Sequence, residues 1–439
     1  MKNDKIQSYM NTIRNMLFLG IICAVTTVFS TAHEFEFNKI YPKKSVKTQV
    51  RKEIVTFFSE YLSGKTTTFD AGKSLKLSEV EQYRDAVWQL WKEANAGFEE
   101  EKLIALDTLS SNSSGCWKLP ENLEPNAVMP YCWGMKGAVE TGAELPLFLY
   151  LHGSGPKERE WSTGLKICRN FDDAPSVYFI PQIPNEGDYY RWWQKAKQFV
   201  WEKLLRQALF LGEIDPNRVY VFGISEGGYG SQRLASFYAD YWAAAGPMAG
   251  GEPLKNAPAE NCSNIAFSLR TGDKDTGFYR NTLTGYALEA FDSLAHQRPG
   301  HFIHKIELIP GMGHSIDYRP TTPWLKQYVR NPYPRYVSWE NFEMDGIYRT
   351  GFYEVIEKDL RWGIEMKFAK KYMQAHKGKV IIYLCDKLVD LNEKVTLTVN
   401  GKKVFEGKMK ADLKNIVNSC AAFFDPLRLY PASIEVELD

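Results

Sequence analysis

Between Val219 and Tyr238 the chain reads as a buried strand, a sharp turn and a helix, and the turn is Gly223-Ile224-Ser225-Glu226-Gly227-Gly228. Few folds accept a serine held between glycines at such a junction. The backbone must reverse within two residues, and Gly223, Gly227 and Gly228 leave room where side chains would collide. The helix that follows turns its N-terminal dipole toward the serine, which favours negative charge developing there. A G-x-S-x-G string alone is weak; placed between a strand and a helix it constrains both the fold and the chemistry.

The surrounding chain supports this. From about Ala138 to Val329, short apolar runs alternate with helical patterns, which predicts an α/β domain with a mostly parallel, doubly wound sheet. Leu145–Leu151 (LPLFLYL) is a continuous apolar run, as a strand covered on both faces requires. Val177–Ile180, Val219–Gly223, Ile265–Leu269 and Lys305–Ile309 read as further strands. Helices are expected over Lys195–Leu211, Gly227–Tyr238 and Tyr286–Ala295, with a turn at Asp215-Pro216-Asn217.

A serine hydroxyl is a poor nucleophile unless a base removes its proton and a carboxylate orients that base. Four histidines follow Ser225 before the C-terminal region: His296, His301, His304 and His314. Only His314 lies in a glycine-rich loop directly after a predicted strand, in Pro310-Gly311-Met312-Gly313-His314, so it is the expected base. Asp273 and Asp275 both follow the strand ending near Leu269, and spacing alone does not separate them; Asp317 lies past the histidine and breaks the usual order. Leu145–Leu151 ends in His152-Gly153-Ser154-Gly155, a small turn suited to offering a backbone N–H to an oxyanion at Ser154. The N–H of Glu226 is the second expected donor, and losing one such donor typically costs about 3 kcal/mol of transition-state stabilisation. His152 is read as structural, within that turn.

These segments resemble the α/β-hydrolase branch that contains carbohydrate esterase family 1, esterase D and polyhydroxybutyrate depolymerase-like proteins. Asp215-Pro216-Asn217-Arg218-Val219-Tyr220-Val221-Phe222-Gly223-Ile224-Ser225-Glu226-Gly227-Gly228 is similar to its D-P-x-R-[IV]-Y…G-x-S-x-G-G stretch, and Leu151-His152-Gly153 to its oxyanion strand end. Gly272-Asp273-Lys274-Asp275 resembles the G-x-x-D acid loop. The resemblance covers about Leu145 to Val329 and implies an α/β-hydrolase fold, a Ser225–His314–Asp275 triad and ester hydrolysis without metal or cofactor. Glu226 departs from the pattern, which usually has a neutral residue after the nucleophile. Tyr189, Tyr190, Trp192 and Trp193 are expected to line a cleft for sugar rings or aromatic acyl groups, with Trp192 and Trp193 as substrate-binding residues. The alternative activity is a prolyl-oligopeptidase-like serine peptidase, although no propeller repeat precedes the catalytic segment. A hydrolase-fold binding protein is disfavoured because no triad residue or turn glycine is missing.

Residues 33–137 read as an N-terminal accessory region with helices at Val50–Leu62 and after Ser78, residues 138–331 as the catalytic domain, and residues 332–439 as a small β-rich domain. In the last, Asn400-Gly401 suits a type I′ hairpin turn, and Ser433–Leu438 alternates with period two. With 54 basic and 53 acidic residues the chain carries a net charge of +1, which does not steer it toward nucleic acid. The expected partner is a small-molecule or glycan ester. Cys116 with Cys132, and Cys385 with Cys420, are candidate disulfides if the chain is exported.

Export is the expectation from residues 1–32. Lys2, Lys5 and Arg14 precede the apolar run Met16–Phe29, and Ser30, Thr31 and Ala32 follow, in the order of a secretory signal peptide. The run is too short for a comfortable membrane span of about 20 residues, so stable membrane insertion is not expected after cleavage. The mature chain should begin near His33 in the periplasm or medium; N-terminal sequencing of the expressed protein checks this, and an intact Met1–Ala32 on a cytoplasmic product contradicts it.

Overall fold

A computed structural model describes residues 48–140, 142–357, 365–367, 373–374, 378–399 and 402–438. The leader at residues 1–32 and the Asn400-Gly401 turn lie outside the described residues.

Eight strands form the central sheet: β1 (Ser114–Lys118), β2 (Val128–Lys136), β3 (Leu145–Leu151), β4 (Ser176–Pro181), β5 (Ile214–Ile224), β6 (Ala244–Met248), β7 (Ala266–Gly272) and β8 (His304–Ile309). Their order is β1-β2-β4-β3-β5-β6-β7-β8. β1 and β2 enter antiparallel; from β4 to β8 every neighbouring pair is parallel. This is an α/β-hydrolase fold. Every residue of β3, β4, β6 and β7 is buried, so neither face of these strands meets solvent.

Helices cover both faces: α3 (Lys157–Asn170), α4 (Lys195–Leu211), α5 (Glu226–Phe237) and α6 (Arg280–Gln297), preceded by α1 (Thr48–Leu62) and α2 (Val80–Gly97). The Asp215-Pro216-Asn217 turn is absorbed into β5 as a bulge. Leu145 pairs with Ile214 and Leu147 with Val219, so the intervening residues loop out, and Asp215 Oδ1 accepts the Asn217 N–H at 2.8 Å.

One boundary differs from the sequence expectation. β1 and β2 fall within residues 33–137, so that stretch is not merely an accessory region; it supplies one edge of the central sheet. The C-terminal region does hold a four-stranded antiparallel sheet, built from β9 (Gly351–Phe352), β10 (Val355–Glu357), β11 (Gly378–Leu384) and β14 (Ala432–Leu438), and a separate hairpin of β12 (Lys394–Val399) and β13 (Lys402–Lys408). It also holds α8 (Leu413–Phe423), after a short α7 (Thr321–Leu325) in the catalytic part. α8 packs with α1 and α2 around Ile54, Phe58, Trp91, Ile416 and Cys420, so the two ends of the chain share one apolar core. Asn418 clasps Phe69 across that junction, accepting its N–H at 2.8 Å and donating to its carbonyl at 2.9 Å.

The six cysteines among the described residues are free thiols. Cys132 pairs with Ser114 and Cys116 with Pro130, which leaves the two cysteines on a diagonal two register places apart, beyond disulfide reach. Cys385 and Cys420 are buried in different apolar clusters.

A buried ion network joins the catalytic sheet to the C-terminal region. Asp240 accepts from Arg349 at 3.1 Å on each oxygen and from Arg428 Nη1 at 2.7 Å, and Arg330 Nη1 donates to its carbonyl at 2.9 Å. Asp425 faces Arg330 Nη1 at 2.7 Å. Burial opposes ionisation of Asp240, but Arg349 and Arg428 outweigh it and hold the carboxyl below the usual carboxylate range. Removing one side of such a network leaves buried charge without compensation, which costs about 3–5 kcal/mol. Asp240→Ala should therefore lower stability by about that amount, read as a drop in the urea midpoint; an unchanged midpoint would show that Arg349 and Arg428 find other partners.

Candidate active site

The site is built where β5 hands over to α5. Ser225 adopts φ 58° and ψ −111°, a left-handed conformation that non-glycine residues rarely hold. Close packing enforces it. A Cβ on Gly223 would overlap Gly227 O, one on Gly227 would overlap Leu151 O, and one on Gly228 would overlap Met248 O. Gly230 is pressed as firmly, its missing Cβ falling 2.5 Å from Trp192 Cβ. The Ser225 N–H donates to Met248 O at 2.9 Å, tying the turn to β6. The glycines thus let α5 lie directly on the ends of β3 and β6, with the serine at the crest.

His314 comes from the loop after β8 and Asp275 from the loop after β7. His314 Nε2 lies 2.9 Å from Ser225 Oγ, and His314 Nδ1 lies 2.7 Å from Asp275 Oδ2. With Nδ1–H donating to Asp275, Nε2 is free to accept the serine proton. Asp275 is buried, whereas His314 is exposed. The second carboxylate oxygen, Oδ1, accepts from Arg280 Nη1 at 2.9 Å. Arg280, at the first turn of α6, thus fixes the carboxylate from behind. No motif in the sequence marks it; only the fold of the acid loop onto α6 reveals it.

The other aspartates are placed elsewhere. Asp273 is exposed, and its Oδ1 accepts the Gly311 N–H at 2.8 Å, while Lys274 N–H donates to Met312 O at 2.9 Å. These bonds stitch the acid loop to the histidine loop, so Asp273 braces the segment carrying His314 without touching the ring. Asp317 forms an exposed pair with Arg319, which holds its carboxyl down at about 2. His304 faces Asp292, and His301 faces Ser263 O.

Ser154, Ser225 and Glu226 together line a cleft of about 660 Å³. Glu226 opens α5, where backbone N–H groups have no acceptor inside the helix. A methyl group on Gly153 would stand 3.5 Å from Ser225 Cβ, so the Gly153-Ser154 turn passes close beside the nucleophile. His152 supports this turn from below. Burial pushes its imidazole down to about 4, so it is neutral; Nδ1–H donates to Gly153 O at 2.8 Å and Nε2 accepts the Ile183 N–H at 3.1 Å. Tyr190 braces the same turn, its hydroxyl 2.8 Å from Gly153 O and 3.0 Å from Gly155 O.

The expected aromatic lining needs correction. Trp192 is fully buried and does not reach the cleft. Its indole N–H donates to His152 O at 2.9 Å and its ring stands edge-on to the imidazole at 4.8 Å, so it is scaffolding for the turn. Trp193 does line the cleft, with the Arg233 guanidinium 3.8 Å above its ring. The remaining aromatic wall, missed in the sequence, is Tyr229, Phe278, Tyr279 and Tyr286. Phe278 and Tyr279 are 79% and 74% exposed, and both adopt positive φ. Two large aromatics held in strained backbone against solvent point to a surface kept for contact rather than for packing.

No protein-family model matches the chain, and neither does any curated protein. Among solved structures it is similar to a thermostable esterase, at 18% identity over 49% of this chain and 59% of that one, with a TM-score of 0.37. A ferulic acid esterase matches at 14% identity over 49% of this chain and 99% of that one, TM-score 0.37. A proposed dipeptidyl aminopeptidase IV from Bacteroides ovatus matches at 13% identity over 49% of this chain and 34% of that one, TM-score 0.36. At such scores the likeness adds nothing about chemistry.

The two candidate acids are separable. In Asp275→Asn the amide oxygen stays with Arg280 and the amide NH2 faces His314 Nδ1, favouring the wrong tautomer, so turnover of a soluble ester should fall about 10⁴-fold with little change in KM. Asp273→Asn keeps an acceptor for Gly311 and should lose far less. Both are read from kcat at mildly alkaline pH, with folding checked by circular dichroism; the reverse ranking would move the acid to Asp273.

Proposed function

We propose that this chain is an exported serine hydrolase that cleaves carboxylic esters through an acyl-enzyme, with acyl or feruloyl esters of glycans as its substrate class. The observation that carries the reading is the hydrogen-bonded row Ser225–His314–Asp275, whose serine lines an open cleft.

In this mechanism Ser225 Oγ attacks the ester carbonyl carbon as His314 Nε2 takes the hydroxyl proton. The carbonyl oxygen becomes an oxyanion facing the N–H groups of Ser154 and Glu226, with the α5 dipole behind it. Collapse breaks the bond to the alcohol, and His314 returns the proton to that leaving oxygen. Water then repeats the sequence on the acyl-serine, yielding the carboxylic acid and restoring the serine. Asp275 stays ionised throughout, stabilising the imidazolium, and no metal or cofactor enters the scheme.

The glycan part of the proposal draws on the aromatic wall of the cleft, since aromatic faces suit sugar rings and phenolic acyl groups alike. The export part draws on the order of charged, apolar and small residues in Lys2–Ala32.

Ser225→Ala should abolish turnover of p-nitrophenyl acetate, a loss on the order of a millionfold. A fluorophosphonate probe should label the parent chain and leave the variant unlabelled. Wild-type labelling of Ser225→Ala would place the nucleophile elsewhere.

A further inference from the structure

Glu226 is the residue at which this site departs from the pattern it otherwise resembles, and its side chain has no part in the mechanism above. It follows the nucleophile directly, is only 8% exposed, and lines the same cleft as Ser225. Its Oε1 is buried without a hydrogen-bond partner. The nearby cation, Arg191 Nη1, stands off at 3.5 Å on a side chain that is 45% exposed, and it donates instead to Tyr190 O at 2.7 Å. A buried acceptor left unmet at the floor of a reaction cleft is costly unless something arrives to meet it.

The charges around it narrow what can arrive. Arg233 is spent on Glu252, donating at 2.8 and 3.1 Å, and Arg280 is spent on Asp275. A cationic ligand would meet the guanidiniums of Arg191, Arg233 and Arg280; an anionic one would meet Glu226 and Glu252. A neutral ligand rich in hydroxyls finds both an acceptor and donors without bringing a further charge into the cleft. Burial pushes the Glu226 carboxyl up to about 7, with Arg191 opposing and Glu252 adding to the rise, so near neutrality it both accepts and donates hydrogen bonds. Phe278 and Tyr279 at the cleft rim add flat apolar faces of the kind a sugar ring covers.

We propose that Glu226 is the specificity-determining side chain of this cleft, its carboxyl reading hydroxyls of a sugar ring that rests on Phe278 and Tyr279 and carries the scissile ester. The inference rests on the serine-esterase reading. It assigns the side chain of Glu226 to substrate selection, while its backbone N–H serves the oxyanion.

The test compares kcat/KM on an acetylated methyl xyloside with kcat/KM on p-nitrophenyl acetate, for the parent, Glu226→Gln, Glu226→Leu and the Phe278→Ala/Tyr279→Ala double variant. The ratio of sugar ester to plain ester should fall about tenfold or more in Glu226→Leu, because a hydroxyl then loses its acceptor. It should fall less in Glu226→Gln, which keeps a carbonyl acceptor and guards against a folding defect in the leucine variant. The double aromatic variant should lower the ratio through KM. Ratios within twofold of the parent in both Glu226 variants overturn the assignment. A parent preference for aminoacyl esters that disappears in Glu226→Gln would also overturn it, by making the carboxylate an ammonium site. If the parent hydrolyses neither ester, the esterase reading itself fails, which is a different result from an unchanged ratio.

Discussion

The close approach of α5 to the ends of β3 and β6 is the constraint on which the rest of the site depends. Gly223, Gly227, Gly228 and Gly230 each lie where a Cβ would strike backbone or the Trp192 side chain, so the helix start is seated where no side chain fits. That depth forces Ser225 into its left-handed conformation and lifts its hydroxyl toward the cleft. It also brings the first N–H of α5 beside the nucleophile and sets Leu151, the end of β3, against the same turn. Once this junction is fixed, nucleophile, oxyanion donor and helix dipole have no independent freedom.

Around that junction, groups that look catalytic in composition act as supports. His152 is neutral, buried and bonded at both ring nitrogens, so it cannot exchange a proton with the cleft. Trp192 and Tyr190 bind the carbonyls of residues 152, 153 and 155, which keeps the turn that presents Ser154 from relaxing. Arg280 and Asp273 do the same for the other side of the site. One fixes the acid's second oxygen; the other joins the acid loop to the histidine loop. Three loops from three strand ends are thus held in register by side chains that never touch the reacting atoms.

The C-terminal region is joined to this framework by charge as well as by apolar packing. Asp240 lies in the turn after α5, and its partners Arg349 and Arg428 come from beyond the catalytic sheet. The Tyr241 hydroxyl donates to Phe423 O at 2.8 Å, linking the same corner to the end of α8. Because α8 also packs on α1 and α2, the N-terminal helices, the C-terminal helix and the catalytic sheet form one connected structure.

Much of this was legible in the sequence because local sterics leave few choices. A serine among glycines between a β-branched strand and a helix can form only a tight elbow. Leu145–Leu151, with no polar residue, has to be a strand covered on both faces. Other elements gave no such signal: Ala244–Met248 (AAGPM) is a central strand without a β-branched residue, stabilised by its two parallel neighbours rather than by propensity. Spacing could not choose between Asp273 and Asp275, because two residues apart in a loop sets no direction; the fold turns one onto His314 and the other onto Gly311 N–H. Trp192 and Trp193 are adjacent in sequence yet face opposite ways, one into the core and one into the cleft. Arg280 and the Phe278-Tyr279 rim reach the site only through the fold, which packs the start of α6 behind the acid loop. The sequence by itself determined which backbone turns could exist, since sterics act between near neighbours. The tertiary structure alone decided where each side chain points, since that depends on contacts between segments far apart in the chain.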